Sequence, residues 1–296
     1  MSFFNAIKIW FCACRPKTLV ASAMPVCVAF VMAAEKEGAK PLVFFITLFC
    51  AIVIQIATNL INDYFDYLKG ADTENRYGPT RMVTAGLVSV RSIRIAIAIC
   101  LIVALLLGGY LVLLGGYPIA IIGIISLICA FAYTAGPSPL AYNGWADLFV
   151  WIFFGPVAVG GTYYLLTGGV TFSSLLVGAA LGSLITSILV VNNLRDVDGD
   201  RRVNKRTLTV RFGEKFSKAQ YLILMSLGAI IPIVLLSFLE KRYGGLLSLL
   251  YLILALSLMK KVVTQKKEKL NRVLELTGAT VFLFSLFFSI GWCLHI

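Results

Sequence analysis

The feature that most constrains this chain is a succession of apolar runs, each about as long as a lipid bilayer is thick. A hydrocarbon core of about 30 Å takes roughly 20 mostly apolar residues as a helix. Nine runs of that kind can be read, at about 18–34, 42–62, 93–114, 117–134, 146–166, 173–194, 219–239, 244–262 and 274–294. Of the 296 residues, 59% are hydrophobic and 14% charged, well short of the roughly 25% charge typical of soluble domains. The fold expected is an all-α polytopic membrane bundle of nine transmembrane helices, forming a single domain over residues 1–296. Gly115-Gly116-Tyr117-Pro118 and Tyr243-Gly244-Gly245 are expected to be tight reversals, because glycine and proline suit such turns. The first run resembles a signal peptide, but further spans follow at once, and it is read as the first membrane helix.

The net charge of +12 would point to nucleic acid in a soluble protein. Here it follows topology. With nine spans, 22 of the 26 Lys and Arg fall on the side of the N-terminus, leaving only Lys36, Lys40, Lys241 and Arg242 on the other. Basic residues concentrate in cytoplasmic loops, so the N-terminus is expected in the cytoplasm and the C-terminus outside. Missing or inventing one span would destroy this segregation. The seven cysteines lie mostly inside apolar runs with no CxxC pair, and are read as small buried apolar residues rather than metal ligands or disulfides.

The acids do not follow that simple scheme. Asp63, Asp66, Asp72 and Glu74 end the second span, Asp196, Asp198 and Asp200 end the sixth, and Asp147 begins the fifth. Eight of the fourteen acids therefore gather at one membrane face. Asn62 precedes Asp66 by four residues, as Asn192 precedes Asp196, and residues four apart share a helix face. One reading is solvated helix ends salt-bridged to nearby Arg. Against it, carboxylates at a helix C-terminus oppose the macrodipole, and charge entering a membrane is costly and usually functional. The other reading is a hard cation such as Mg²⁺, which suits carboxylates completed by substrate phosphates. Arg15, Lys17, Lys69, Arg76, Arg81, Arg195, Arg201, Lys205 and Arg206 surround the acids, and a diphosphate joined through metal would account for both signs on one face. No Walker loop, HExxH or GxSxG is present, and the single histidine, His295, falls on the opposite side. Histidine acid–base chemistry near the acids is excluded.

These residues resemble a known family. Asn62-Asp63-Tyr64-Phe65-Asp66 resembles the first aspartate motif of the UbiA-type intramembrane prenyltransferases, and Asp196-Val197-Asp198-Gly199-Asp200 their second. Arg15-Pro16-Lys17-Thr18-Leu19, Gly78-Pro79-Thr80-Arg81, Tyr133-Thr134-Ala135-Gly136-Pro137 and Lys205-Arg206-Thr207-Leu208 resemble the menaquinone branch of that family. Asn204 departs from it, standing where a glycine is common. The resemblance implies a cytoplasm-facing cavity and transfer of a polyprenyl group from polyprenyl diphosphate to 1,4-dihydroxy-2-naphthoate, with loss of CO₂ and diphosphate. It implies two Mg²⁺ ions, with Mn²⁺ an alternative, held by Asp66, Asp196, Asp200 and Asp63. Asn62 and Asn192 would position metal or phosphate, and Asp72 would activate the aromatic acceptor. Arg15, Arg76, Arg81, Lys205 and Arg206 would hold the diphosphate or the acceptor carboxylate. Tyr133 would shield the allylic cation, or else anchor the chain at the membrane interface.

Two alternatives stay open at this point. One keeps the fold with another acceptor, such as 4-hydroxybenzoate or homogentisate. The other is a transporter of ions or organic anions, which would place charge near mid-membrane. The segregation of charge makes a direct forecast. In a cysteine-free background, Lys40→Cys should react with an impermeant thiol reagent only from outside intact cells, and Lys267→Cys only after the membrane is opened. Labelling of both from the same side would overturn the orientation.

Overall fold

The computed structural model describes residues 3–35, 40–70, 81–235, 237 and 243–294. Among these there are helices and no strands. The helices are α1 (Phe3–Ala13), α2 (Pro16–Ala33), α3 (Pro41–Leu68), α4 (Val90–Ala132), α5 (Ala146–Ile152), α6 (Ala158–Thr167), α7 (Phe172–Arg202), α8 (Leu208–Phe212), α9 (Glu214–Val234), α10 (Leu252–Thr264) and α11 (Leu270–Cys293). A π-helical turn, Phe153–Val157, joins α5 to α6, and a 3₁₀ stretch, Tyr243–Tyr251, leads into α10.

Eight helical stretches among the described residues are long and apolar enough to cross a membrane, one fewer than the sequence predicts. The difference lies in α4, whose 43 residues run through both the third and fourth predicted spans. Its backbone leaves the helical region at Gly116, where φ is 67° and ψ −157°, a conformation open to glycine and strained for other residues. A straight helix of this length would measure about 64 Å. Yet Ile93, near its start, packs with Ala57, Leu60 and Ile61 of α3, while Thr134, just past its end, donates to Asn62 of α3 at 2.8 Å. Both ends therefore meet the last turns of α3, and the chain reverses at the predicted Gly116-Pro118 site. At the other predicted turn, the residues just before Tyr243-Gly244-Gly245 lie outside the described residues, and the glycines there also serve packing. Gly244 packs against Gly291 so closely that a Cβ on Gly291 would lie 1.9 Å from the Gly244 carbonyl oxygen.

α7 is the central pillar. Most of its length is buried, and it contacts α9, α11, α5 and the π turn. A capping box between Thr171 and Ser174 starts it. Its glycines form a seam against the α5–α6 junction. A Cβ at Gly182 would sit 2.5 Å from the Trp151 carbonyl oxygen, and one at Gly155 would sit 2.6 Å from that of Gly178. Apolar burial gives helices little reason to associate in lipid, and close backbone approach through small residues supplies the packing instead. The wide turn at Phe153–Val157 accommodates Pro156, which has no N–H to donate. Away from these seams, Leu106, Leu113 and Ile253 are exposed on the outside of the bundle, as lipid-facing side chains would be.

Two helices run past their predicted ends. α3 continues to Leu68 rather than stopping near 62, and α7 continues to Arg202 rather than stopping near 194. Both aspartate motifs consequently stand on regular helix, not in loops, so their spacing fixes which face they share. The glycine seam predicts a contrast in stability. Gly182→Ala forces a backbone shift and should cost about 1–3 kcal/mol, while Gly199→Ala meets open space and should gain up to about 1 kcal/mol from helix propensity. Thermal unfolding in detergent should show a lower midpoint for the first variant only; equal midpoints would contradict the packing.

Candidate active site

The last turns of α3 carry Asn59, Asn62, Asp63 and Asp66, all buried. Asn59 ties α3 to the α1–α2 junction, its amide donating to Cys14 O at 3.0 Å and Thr18 Oγ1 at 2.9 Å. That junction turns on Arg15, whose backbone is left-handed at φ 50°. Such a conformation costs about 1–3 kcal/mol in a non-glycine residue, and here it sets Arg15 on the wall of the central cavity. Asp63 Oδ2 accepts from Met82 N at 3.0 Å, fixing the start of the turn at 81–88. The neighbouring residue, Arg81, is thereby held so that its guanidinium meets Asp66 Oδ2 at 2.5 Å, with both side chains nearly buried. Asp63 acts on the site through that turn, and its Oδ1 is enclosed with no hydrogen-bond partner.

The end of α7 is organised around Arg195. Its guanidinium forks onto Asp196, Nε to Oδ1 and Nη2 to Oδ2, each at 2.7 Å. The same group reaches Asn192 Oδ1 at 2.8 Å and Asn271 Oδ1 of α11 at 2.9 Å. The Asn192–Asp196 pair thus shares one face, as its spacing predicts, with an arginine between the two. One turn further on, the chain bends back at Asn204, whose φ of 55° is left-handed. Asparagine is among the few residues that visit this region routinely, which explains how it replaces a glycine there. The bend brings Lys205 N to Asp200 O at 2.8 Å and Lys205 Nζ to Asp200 Oδ1 at 3.2 Å.

The segment between α4 and α5 joins these two tips. Thr134 holds Asn62, and the Tyr142 hydroxyl donates to Asp66 Oδ1 at 3.3 Å. The Tyr142 carbonyl accepts from Arg206 N at 2.9 Å. Its ring lies under two ammonium groups, 4.4 Å from Lys69 Nζ and 5.9 Å from Lys205 Nζ. Lys69 also donates to Thr134 O at 2.6 Å, and its burial pushes its pKa down from the usual lysine value.

Between the tips opens a cavity of about 700 Å³. Of the sequence-predicted residues, Arg15, Asn62, Asp66, Arg81, Tyr133, Asn192 and Lys205 line it. Asp63, Asp196, Asp200 and Arg206 stand behind the wall, the two α7 acids bonded to Arg195 and Lys205, which do line it. Asp72, Glu74, Arg76 and His295 lie outside the described residues. The polar end gives way to an apolar channel walled by Leu111, Val112 and Ile119 of α4 and by Phe149, Phe153 and Phe154. On α3 the lining runs from Thr47 to Asp66, roughly 28 Å of helix. Sequence reasoning missed Thr134 and Tyr142, which sit in an irregular segment where no periodicity assigns a direction. It also missed Glu275, which lines the cavity and pairs with Lys17 at 2.7 Å.

The donors at the polar end are carboxylate and carboxamide oxygens, those of Asp66, Asn62 and Asn192, and behind the wall Asp63 keeps one enclosed oxygen without a hydrogen bond. That chemistry fits a hard divalent cation. Among the described residues, no three acids, histidines or cysteines lie close enough to hold an ion by themselves. A cation there would take one or two carboxylates and complete its shell from phosphate or water, the habit of Mg²⁺.

Comparison with known proteins agrees with this geometry. Residues 22–293 match the UbiA prenyltransferase family. The chain is 32% identical to the 1,4-dihydroxy-2-naphthoate octaprenyltransferase of Escherichia coli, over 96% of this chain and 94% of that one. It is 36% identical to the enzyme of the same name from Mycobacterium tuberculosis, over 77% of each. Among solved structures, a UbiA homologue from Archaeoglobus fulgidus bound to GPP and Mg²⁺ shares the fold, with a TM-score of 0.73 at 16% identity over 94% of this chain and 97% of that chain. With both aspartate helices closing on one cavity inside an all-helical membrane bundle, the chain belongs to the UbiA prenyltransferase family.

Proposed function

We propose that this protein transfers a polyprenyl group from polyprenyl diphosphate to 1,4-dihydroxy-2-naphthoate, releasing CO₂ and diphosphate. The observation that carries the reading is a single cavity with an ionic end and a long apolar arm, the shape of an amphiphile with an anionic head. The naphthoate acceptor rests on the relatives named for it, at 32–36% identity over most of the chain.

Arg15, Arg81 and Lys205 lie on the cavity wall where a diphosphate would sit. Arginine forks onto phosphate oxygens, and lysine meets them as a point charge. Asp66, with Asp200, Asp196 and Asp63 close behind, would hold Mg²⁺, helped by Asn62 and Asn192. When bound, the metal would neutralise diphosphate charge and make it a better leaving group. The basic side chains now paired to Asp66 and Asp200 would then be free to turn to the substrate. Once turned, these cations would stabilise the charge that develops on the leaving diphosphate. The Tyr133 ring, on the wall near these acids, would face the allylic carbon and stabilise its developing positive charge. Phe149, Phe153 and Val112 would keep water from that carbon and guide the isoprenoid tail.

The reversal at Gly116 supports counting α4 as two crossings, nine in all. The clustering of Lys and Arg then supports a cytoplasmic N-terminus, an external C-terminus and a cavity open to the cytoplasm. The test is incubation of the purified protein with prenyl diphosphates of several lengths and a panel of dihydroxynaphthoate, 4-hydroxybenzoate and homogentisate, with products weighed by mass spectrometry. The decarboxylated 2-prenyl-1,4-naphthoquinol should be the main product. Asp66→Asn and Asp200→Asn should each lower turnover by about 10²-fold or more, with insertion into the membrane unchanged, and excess EDTA should abolish it. Full turnover in EDTA would rule the mechanism out, and prenylation of benzoate alone would reassign the acceptor.

A further inference from the structure

The diphosphate end of the cavity is provided with cations, but that assignment leaves the acceptor without a specific anchor. One acid on the cavity wall has neither a role in that assignment nor, among the described residues, a cation beside it. Asp147, in the first turn of α5, belongs to neither aspartate motif, lines the same cavity, and is 5% exposed. Its Oδ1 accepts from Gln220 Nε2 of α9 at 3.1 Å. Its Oδ2 is enclosed and has no hydrogen-bond partner. Among the described residues, no Lys, Arg or His makes an ion pair with it. An enclosed carboxylate oxygen left without a donor is destabilising, so a residue kept in this state has an incomplete set of partners.

The missing partner must bring a donor. A diphosphate or carboxylate brings only negative charge and would be repelled. A hard cation would seek further charged ligands, and among the described residues Asp147 belongs to no group of three acids, histidines or cysteines. A neutral hydroxyl satisfies the oxygen at the least cost. Of the substrates proposed above, only the aromatic acceptor carries one. Position agrees with chemistry. Tyr133 lies on the wall of the same cavity, as do Asp66 and Arg15, and Phe149, Val150 and Phe153 line it with Asp147. A flat ring held there would have its edge at the acid and its face on apolar side chains, beside the diphosphate end.

We propose that Asp147, held by Gln220, determines acceptor specificity by accepting a hydrogen bond from a ring hydroxyl of the aromatic substrate. The inference rests on the prenyltransferase reading and deepens it.

The test measures binding, so that differences in ring reactivity do not enter. Calorimetry on the full-length protein in detergent would compare three ligands: the best acceptor of the panel, that acceptor lacking one hydroxyl, and geranyl diphosphate. The wild type should bind the acceptor about 10- to 100-fold more tightly than at least one deoxy analogue. Asp147→Ala should bind the two within about threefold, and Gln220→Leu should show a smaller preference than wild type. All three proteins should bind geranyl diphosphate equally. Undiminished preference in Asp147→Ala would overturn the proposal, and so would equal loss of diphosphate affinity, which marks a purely structural acid. If the wild type prenylates an aromatic acceptor and Asp147→Ala keeps its preference, this inference alone fails. If the wild type binds no aromatic acceptor, the functional reading fails with it.

Discussion

The structure depends on keeping carboxylates charged at the edge of a low-dielectric interior. Asp66, Asp196 and Asp200 are each buried, and burying a carboxylate is costly unless it is paired. Each meets a cation: Arg81, Arg195 and Lys205 respectively. Buried ion pairs seldom add net stability over apolar packing, although losing one partner is expensive. Their value here is positional. Each pairing dictates where a loop or helix end must lie, and the three together set the shape of the polar end of the cavity.

The positioning proceeds in layers. Asp63 holds the Met82 amide, and the turn it anchors delivers Arg81 to Asp66. The left-handed turn at Asn204 delivers Lys205 to Asp200. Tyr142 then spans the gap, with its hydroxyl on Asp66, its carbonyl on Arg206 and its ring near Lys69 and Lys205. Beneath this network the helices cannot rely on hydrophobic driving force between themselves. Glycine contacts bring backbones together, Gly155 with Gly182 and Gly244 with Gly291, so α7 is held against the α5–α6 junction, and the 243–251 stretch against α11, by close packing.

What the sequence makes legible follows from how local each signal is. The reversal at Gly116 was readable because glycine and proline act through their own backbone. The Asn62–Asp66 and Asn192–Asp196 pairs were readable because helical spacing fixes a shared face. The helix ends were not, because Tyr64 and Phe65 continue the pattern after Asp63 and pack on a satellite cluster that no local rule reveals. The same limit applies to the roles of the acids. Asp63 and Asp66 look equivalent in sequence, yet one bonds a turn and the other lines the cavity. Tyr142 carried no signal, because its importance comes from two elements distant in the chain. Asp147 was visible as an acid at the right face, but its lack of a donor is a property of the packed neighbourhood only.

The separation of polar and apolar lining also explains why an enzyme of this kind should be built within the bilayer. An anionic head needs several cations at one place, which water would screen, and a long isoprenoid tail needs a channel that water would have to vacate. Placing the ionic groups on the last turns of α3 and α7 keeps them near the membrane surface, where the head can enter from water. The apolar arm descends along α3 as far as Thr47, among side chains no more polar than lipid. In the proposed reaction the reacting carbon would lie where the two environments meet. Asp66, Asp196 and Asp200 each hold a buried cation partner, whereas Asp147 on the cavity wall has none among the described residues, and a ring hydroxyl can approach it without competing with the diphosphate for a cation.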